Sequence, residues 1–326
     1  MLKNRLNLRN LAAITASLAI IIFASCKKET LDLSGSVNIS PTENVFVGNE
    51  LTAAYNGFET VTWHWNKNGI VIGGATTNKY TPVETGIYTA TASATGYNSK
   101  SSIAVDVKPA PIYLLEEKLY YSTRNVYEYD SQDRISKISK YLLNNNQPFD
   151  VQIFNYNSEG HLEEIINGSK ITFSKNGNKI TYNNYEVEHN EIEINDQGFP
   201  VKYTWEIKYD KYWIIRTNTF TWLNGNLTEY YMEEKKKIGY EESTNYSTAT
   251  YTFDDKKSPF YHCKTPKWVL FYFMWSSELD YNDNNVKTIK WESESHTTYE
   301  YIYNDEGFPI YHFGQWMIVG YRYKKK

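Results

Sequence analysis

The sequence predicts an all-β protein of two bodies, a sandwich followed by an antiparallel β-hairpin repeat domain folded as an open curved sheet or a partly closed barrel. Three observations carry this. Short alternating runs recur about every 10 residues up to residue 108, the spacing of antiparallel strands joined by turns. A turn motif built on Asp or Asn and closed by Gly recurs after residue 126, as hairpins require. Aromatic residues make up 16% of the chain, 30 of them tyrosines, and rings of that kind favour pleated, half-buried surfaces. The 326 residues exceed the roughly 150 of one domain, and this much ring surface excludes a disordered chain.

Net charge is −4 and the isoelectric point lies near 5.9. No basic footprint for a phosphate backbone is present, so nucleic acid is not an expected partner. Two cysteines allow at most one disulfide, which excludes a small stapled scaffold.

The amino end reads as an export signal over residues 1–25. Lys3, Arg5 and Arg9 precede an apolar run from Leu11 to Phe23 that ends in Ala24 and Ser25. About 13 residues fall short of the roughly 20 that cross a bilayer as a helix. Phe23-Ala24-Ser25-Cys26 resembles the lipobox of bacterial lipoproteins, with Phe23 in place of the usual leucine. That resemblance implies a diacylglycerol on the Cys26 thiol, a membrane partner through the lipid, and residues 26–34 as a tether. Acyl chains at about 0.8 kcal/mol per buried CH₂ hold such a protein stably. Lys27-Lys28-Glu29 is similar to the charged tag that sends lipoproteins of Bacteroidota to the cell surface; with one acid, surface and periplasmic facing of the outer membrane both stay open. Cleavage leaves 31 basic against 38 acidic residues, a net charge of −7, so no basic patch adds to the anchor. An acylated Cys26 leaves Cys263 without an intramolecular partner.

Residues 35–108 form the first body. In Val61-Thr62-Trp63-His64-Trp65 the two-residue period puts the tryptophans on one face and His64, a solvated strand residue, on the other. Trp65 followed by Gly69, then Thr85-Gly86-Ile87-Tyr88, resembles the third-strand tryptophan and tyrosine corner of immunoglobulin-like domains. Ala53 and Ala90 stand where the inter-sheet cysteines would fall, as in the disulfide-free bacterial modules. The resemblance implies Trp65 and Tyr88 as core residues. Lys108-Pro109-Ala110-Pro111 favours extended geometry and makes 109–111 a semi-rigid linker.

Residues 112–326 carry the repeat. Its copies run Tyr127-Glu128-Tyr129-Asp130 through Ile135, Phe154-Asn155-Tyr156-Asn157 through Leu162, Ile192-Glu193-Ile194-Asn195 through Phe199, and Tyr301-Ile302-Tyr303-Asn304 through Phe308. Degenerate copies start at Phe253-Asp254 and Tyr281-Asn282, and Phe220 to Gly225 is a shortened one. The residue three places after the Asp or Asn needs positive φ; Gly160, Gly198 and Gly307 supply it, with Asp133 and Asn285 as substitutes. These copies resemble the tyrosine-aspartate (YD) repeats of bacterial surface proteins, and the arrangement looks like β domains of unknown function in lipoproteins of Bacteroidota. Strands such as Lys170 to Phe173 and Lys179 to Tyr182 lack a continuous outward apolar band, which disfavours a membrane-spanning barrel. Lys267 to Trp275 breaks alternation; a strand buried on both faces fits it best, with a short helix as the other pattern.

No protease, hydrolase, phosphate-loop or dinucleotide motif occurs, and His64, His161, His189 and His296 have no Cys or His within four residues, so neither a catalytic group, a cofactor nor a metal is expected. His262-Cys263 would point to opposite faces of a strand, leaving Cys263 as a small buried residue. Asp280 to Asn284 imitates a calcium loop, but Asn285 and Trp291 replace its glycine and glutamate. Glu292 and Glu294 share a strand face, as a glycosidase pair could. Lys235-Lys236-Lys237 reads as a hairpin tip. Trp213, Trp222, Trp291 and Trp316 have polar neighbours and are the candidate sugar-stacking rings. The expected function is therefore a lipid-anchored, non-enzymatic protein whose immunoglobulin-like spacer presents a β domain that binds a glycan or a protein. A polysaccharide hydrolase and a structural component of an outer-membrane assembly are the alternatives.

Overall fold

The computed structural model describes residues 30–183, 189–209, 212–273, 280–292, 296–314 and 317–326. The chain is all-β with one short helix among these residues, and it divides into two compact units between Pro111 and Ile112.

The first unit contains β1 (Leu31–Asp32), β2 (Val37–Ser40), β3 (Leu51–Tyr55), β4 (Thr62–Lys67), β5 (Ile70–Val71), β6 (Lys79–Tyr80), β7 (Gly86–Ser93), β8 (Tyr97–Asn98), β9 (Lys100–Ser101) and β10 (Val105–Val107). One sheet runs β2-β3-β6 and the other β10-β7-β4-β5, with β9 on β7 and a parallel β1-β8 pair. Alternate residues of both sheets, among them Val37, Ile39, Leu51, Ala53, Trp65, Tyr88, Ala90 and Val107, meet in one core. Trp65 is fully buried, and its indole N–H donates to Thr77 O at 2.9 Å. The Tyr88 hydroxyl donates to Glu84 O, four residues back, also at 2.9 Å.

The second unit is a closed antiparallel barrel. Its strands are β11 (Tyr113–Leu119), β12 (Thr123–Tyr129), β13 (Ile135–Leu142), β14 (Asp150–Tyr156), β15 (Leu162–Asn167), β16 (Ser169–Asn176), β17 (Lys179–Tyr182), β18 (His189–Ile194) and β19 (Pro200–Tyr209), continuing with β20 (Tyr212–Leu223), β21 (Asn226–Ile238), β22 (Glu241–Lys257), β23 (Asn284–Trp291), β24 (His296–Thr298), β25 (Glu300–Tyr303), β26 (Pro309–Phe313) and β27 (Ile318–Lys325). Consecutive strands pair, and β11 against β27 closes the ring. Tyr299 alone separates β24 from β25, so one run of chain pairs with β23 through its first half and with β26 through its second.

Four turns share one local chemistry. Asp130, Asn157, Asn195 and Asn304 accept from the backbone N–H four residues on through a side-chain oxygen, at 2.8–3.0 Å. Asp133, Gly160, Gly198 and Gly307 lie at φ between 64° and 85°, the left-handed region that glycine enters freely. Register shifts at Tyr129, Tyr156, Ile194 and Tyr303 mark a bulge beside each turn. Asn224 and Gly225, both at positive φ, close the tight β20-β21 hairpin.

Four expectations need correction. Asn285 is not a positive-φ turn residue; it lies in β23, 1% exposed, with its amide donating to Lys257 O at 3.1 Å. The degenerate copies at Phe253 and Tyr281 are likewise not hairpins, because they flank a long connection from β22 to β23 that folds inward. Within that connection Lys267–Phe273 is α1, not a strand. Inside a barrel whose wall is already fully paired, an added strand would leave its backbone unsatisfied, whereas a helix pairs its own. The Lys235 to Lys237 run belongs to β21, and the hairpin tip is Gly239-Tyr240.

A barrel of this many strands has a wide interior, and the described residues of the inward connection pack into it. Phe260 packs on Tyr127 of β12 at 5.3 Å, Trp268 on Phe173 of β16 at 5.5 Å, Phe271 on Phe220 of β20 at 4.7 Å, and Tyr272 on Tyr203 of β19 at 4.5 Å. Ile135 N–H donates to Thr265 Oγ1 and Leu227 N–H to Asn282 Oδ1, each at 2.7 Å. The outward face is different. Glu117 takes Arg124 and Arg322 at 2.8 Å, bridging β27, β11 and β12. Further cross-strand pairs follow at Lys137–Glu128, Lys170–Glu164, Lys179–Glu191, Lys202–Glu193 and Lys237–Glu242.

Candidate ligand-binding site

The register of β18 to β22 builds an inward wall of aromatic and amide groups. Asn190 stands opposite Trp205, Trp205 opposite Arg216, and Arg216 opposite Glu234. One step deeper Ile192, Tyr203, Asn218 and Met232 pair in the same way, then Phe220 with Tyr230. Residues two apart on a strand share a face, and Ile192 and Phe220 belong to the barrel core, so the whole wall looks inward.

Its polar atoms are ordered. The Tyr203 hydroxyl donates to Asn190 Oδ1 at 3.0 Å, so the Tyr182 hydroxyl, 2.8 Å away, donates to Tyr203. Tyr230 repeats the motif by donating to Asn218 Oδ1 at 3.0 Å. The Arg216 guanidinium lies 5.1 Å over the Trp205 ring and donates through Nε to Glu234 at 2.9 Å. Burial raises the Tyr182, Tyr203 and Tyr272 phenols above their ordinary range, which keeps them neutral donors. Two groups here lack a partner: the Asn190 amide nitrogen on the wall and the hydroxyl of Tyr272, which α1 packs against it.

A second cluster lies at the β11-β27 seam. Lys118, 0% exposed, pairs with Asp280 of the inward connection, and Asp280 also accepts from the Tyr321 hydroxyl at 3.2 Å. His312 Nδ1 sits 2.6 Å from the same hydroxyl. Burial pulls Lys118 down, but Asp280 and Tyr120 outweigh it and raise the amine overall. Burial, with Lys118 assisting against Asp280, lowers His312 to about 4. All four side chains are enclosed, so the cluster ties connection to seam and offers no approach to a substrate.

Of the four tryptophans singled out in the sequence, the three that are described do not converge. Trp222 is in the core, its N–H donating to Pro200 O at 2.6 Å and its ring 4.8 Å from Phe199. Trp291 lines the interior beside Tyr230 at 6.2 Å. Trp213 pairs with Lys208 and Lys237, on the opposite strand face from Arg216 and Trp205 by alternation. Trp316, Cys26 and Glu294 lie outside the described residues. Trp205, with Arg216, was missed. The i, i+2 series Tyr203-Trp205 carries the signal, but only the register with β20 brings the guanidinium onto the ring.

Cys263 is free and buried, its thiol raised by desolvation. His262 Nδ1 accepts from Tyr113 N–H at 3.0 Å, and burial and Lys257 lower its pKa. Asp280 and Asn282 of the calcium-like run are engaged with Lys118 and Leu227. No group of three metal-ligating side chains occurs among the described residues.

No protein-family model matches the chain, and no curated protein matches it. Among solved structures, a porin-like protein from Bacteroides uniformis aligns at 13% identity and TM-score 0.31 over 65% of this chain and 96% of its own. A porin-like protein from Bacteroides vulgatus aligns at 12% identity and TM-score 0.30 over 59% of this chain and 99% of its own.

Proposed function

We propose that the protein is a lipid-anchored, extracytoplasmic, non-enzymatic binding protein, held to an outer membrane through Cys26, in which an immunoglobulin-like module spaces a plugged β-barrel from the lipid and the barrel binds a glycan. The observation that carries the reading is the belt of ion pairs around the barrel, from Arg322–Glu117–Arg124 to Lys237–Glu242. A lysine or arginine facing lipid costs about 2–4 kcal/mol at mid-membrane, so a wall carrying this many belongs in water and must be tethered if it is to stay at a membrane. The filled interior supports binding at the barrel over conduction through it.

The test is membrane flotation of the full chain and of Cys26→Ser, with labelled palmitate supplied in culture. The wild type should float with label, and Cys26→Ser should lose the label and the membrane. A Cys26→Ser protein that still resists alkaline extraction from membranes would refute the tethered reading and favour an inserted barrel.

A further inference from the structure

We propose that the wall of Asn190, Tyr203, Trp205 and Arg216, with Tyr272 of α1 packed on it, is the binding site for a neutral oligosaccharide; this rests on the glycan-binding reading above and deepens it. Buried polar atoms are nearly always hydrogen-bonded, and an unpaired one asks for an explanation. Here two meet around one residue. Asn190 is 2% exposed and Tyr272 8% exposed. The Asn190 nitrogen and the Tyr272 hydroxyl each lack a partner, and both residues border Tyr203, one through its hydroxyl at 3.0 Å and the other ring to ring at 4.5 Å. A pyranose hydroxyl both donates and accepts, so one sugar unit can satisfy an amide N–H and a phenol together. Its C–H face meets ring surface of the kind Tyr203 and Trp205 supply.

Solvent reaches the Trp205 and Arg216 part of this wall, while the Asn190 nitrogen and the Tyr272 hydroxyl lie buried beside it. Tyr203 and Trp205 are half-buried, and the Arg216 side chain is 39% exposed. The charge is balanced, because Arg216 and Glu234 are paired and stacked against Trp205 and the phenols stay neutral. A carboxylated sugar therefore finds no free counter-charge at this level. Lys236, one register pair nearer the strand tips opposite Ile214, is where an acidic ligand would be drawn instead.

The experiment is calorimetric titration of the full chain in detergent micelles with maltohexaose, xylohexaose and mannohexaose, and with hexagalacturonate as the acidic probe. A neutral hexamer should bind at about 1 mM or tighter. Asn190→Ala and Trp205→Ala should each weaken it at least about tenfold, some 1.4 kcal/mol. Trp205→Phe, which keeps a ring, should stay within about threefold, with melting temperature checked for each variant. Neutral binding unchanged in Asn190→Ala and Trp205→Phe alike and in Trp205→Ala overturns this site while the glycan reading stands. Tighter binding of hexagalacturonate overturns the neutral class. No sugar bound at about 10 mM overturns the glycan reading itself and leaves a protein ligand.

Discussion

Removing the Asp280 carboxylate should cost the barrel far more than removing the whole ion pair it belongs to. Lys118 is 0% exposed and the Asp280 side chain 8% exposed, so Asp280→Ala takes the Asp280 counter-charge from a buried ammonium and strips the Tyr321 hydroxyl of its acceptor at 3.2 Å. Breaking one side of such a pair costs about 3–5 kcal/mol, whereas replacing both sides by apolar groups is often neutral or stabilising. For a unit of this size, 1 kcal/mol moves the melting temperature by roughly 2–4 °C. A loss of about 4 kcal/mol therefore lowers the barrel transition by roughly 8–16 °C. Differential scanning calorimetry of the full chain resolves that transition, and the Lys118→Met, Asp280→Leu double variant should recover most of the loss. The raised Lys118 pKa fixes the pH signature. The wild-type contribution is full below the unfolded value near 10.4 and falls as pH rises through the folded one. A drop under about 3 °C in Asp280→Ala, or a double variant less stable than the single, would refute the account of the seam.

His312 and Tyr156 give two smaller tests. The His312 pKa is lowered to about 4, so between roughly 6.5 and 4 the unfolded chain holds a proton that the folded one refuses; stability should be intact above 6.5 and fall by up to about 3 kcal/mol as pH drops to 4. His312→Gln should flatten that slope in urea titrations run across the window, and an unchanged slope would assign it to other groups. Tyr156→Phe keeps the ring that stacks under Arg134 at 4.2 Å but removes the hydroxyl that donates to Ile135 O at 3.0 Å. It should cost about 1–2 kcal/mol, seen as a fall of roughly 2–8 °C in the barrel transition.

Local chemistry was readable in the sequence, and long-range placement was not. The turns at Asn157, Asn195 and Asn304 follow from a side-chain acceptor and a glycine three residues later, so their backbone is fixed within five residues. Closure of the barrel depends instead on β11 meeting β27 about 200 residues away, and no local pattern encodes that pairing. The inward connection shows the same limit. From Trp268 to Tyr272 the helix is apolar on every side because it packs into the barrel core, and so short an all-round apolar run has no period by which to tell helix from strand. Trp205 and Arg216 lie eleven residues apart in sequence yet share one spot on the wall. Trp222, Trp291 and Trp213, chosen for their polar neighbours, went to the core's edge, the lining and the outer face, because sequence neighbours on a strand point away from each other.

The abundance of tyrosine acquires a structural cause from the bulges. A bulge takes one residue out of the ladder and leaves nearby carbonyls short of a partner. Tyr129 at the end of β12 donates to Leu115 O beside the shift in β11, Tyr156 at the end of β14 donates to Ile135 O opposite the shift in β12, and Tyr323 of β27 donates to Pro309 O opposite the shift at Tyr303. In each case the ring fills core volume while the hydroxyl reaches across to a carbonyl of an earlier strand. Phenylalanine would supply the volume and leave the carbonyl bare. The tyrosines before Asp130 and Asn157 thus work beside the turn device: the carboxylate or amide closes its own hairpin, and the phenol seals an irregularity on an earlier strand. Tyr203 and Tyr230 depart from that use by donating to the side chains of Asn190 and Asn218, as Tyr321 does to Asp280 at the seam; on the candidate binding wall the acceptor is an amide rather than a carboxylate, so the phenols order neutral groups there.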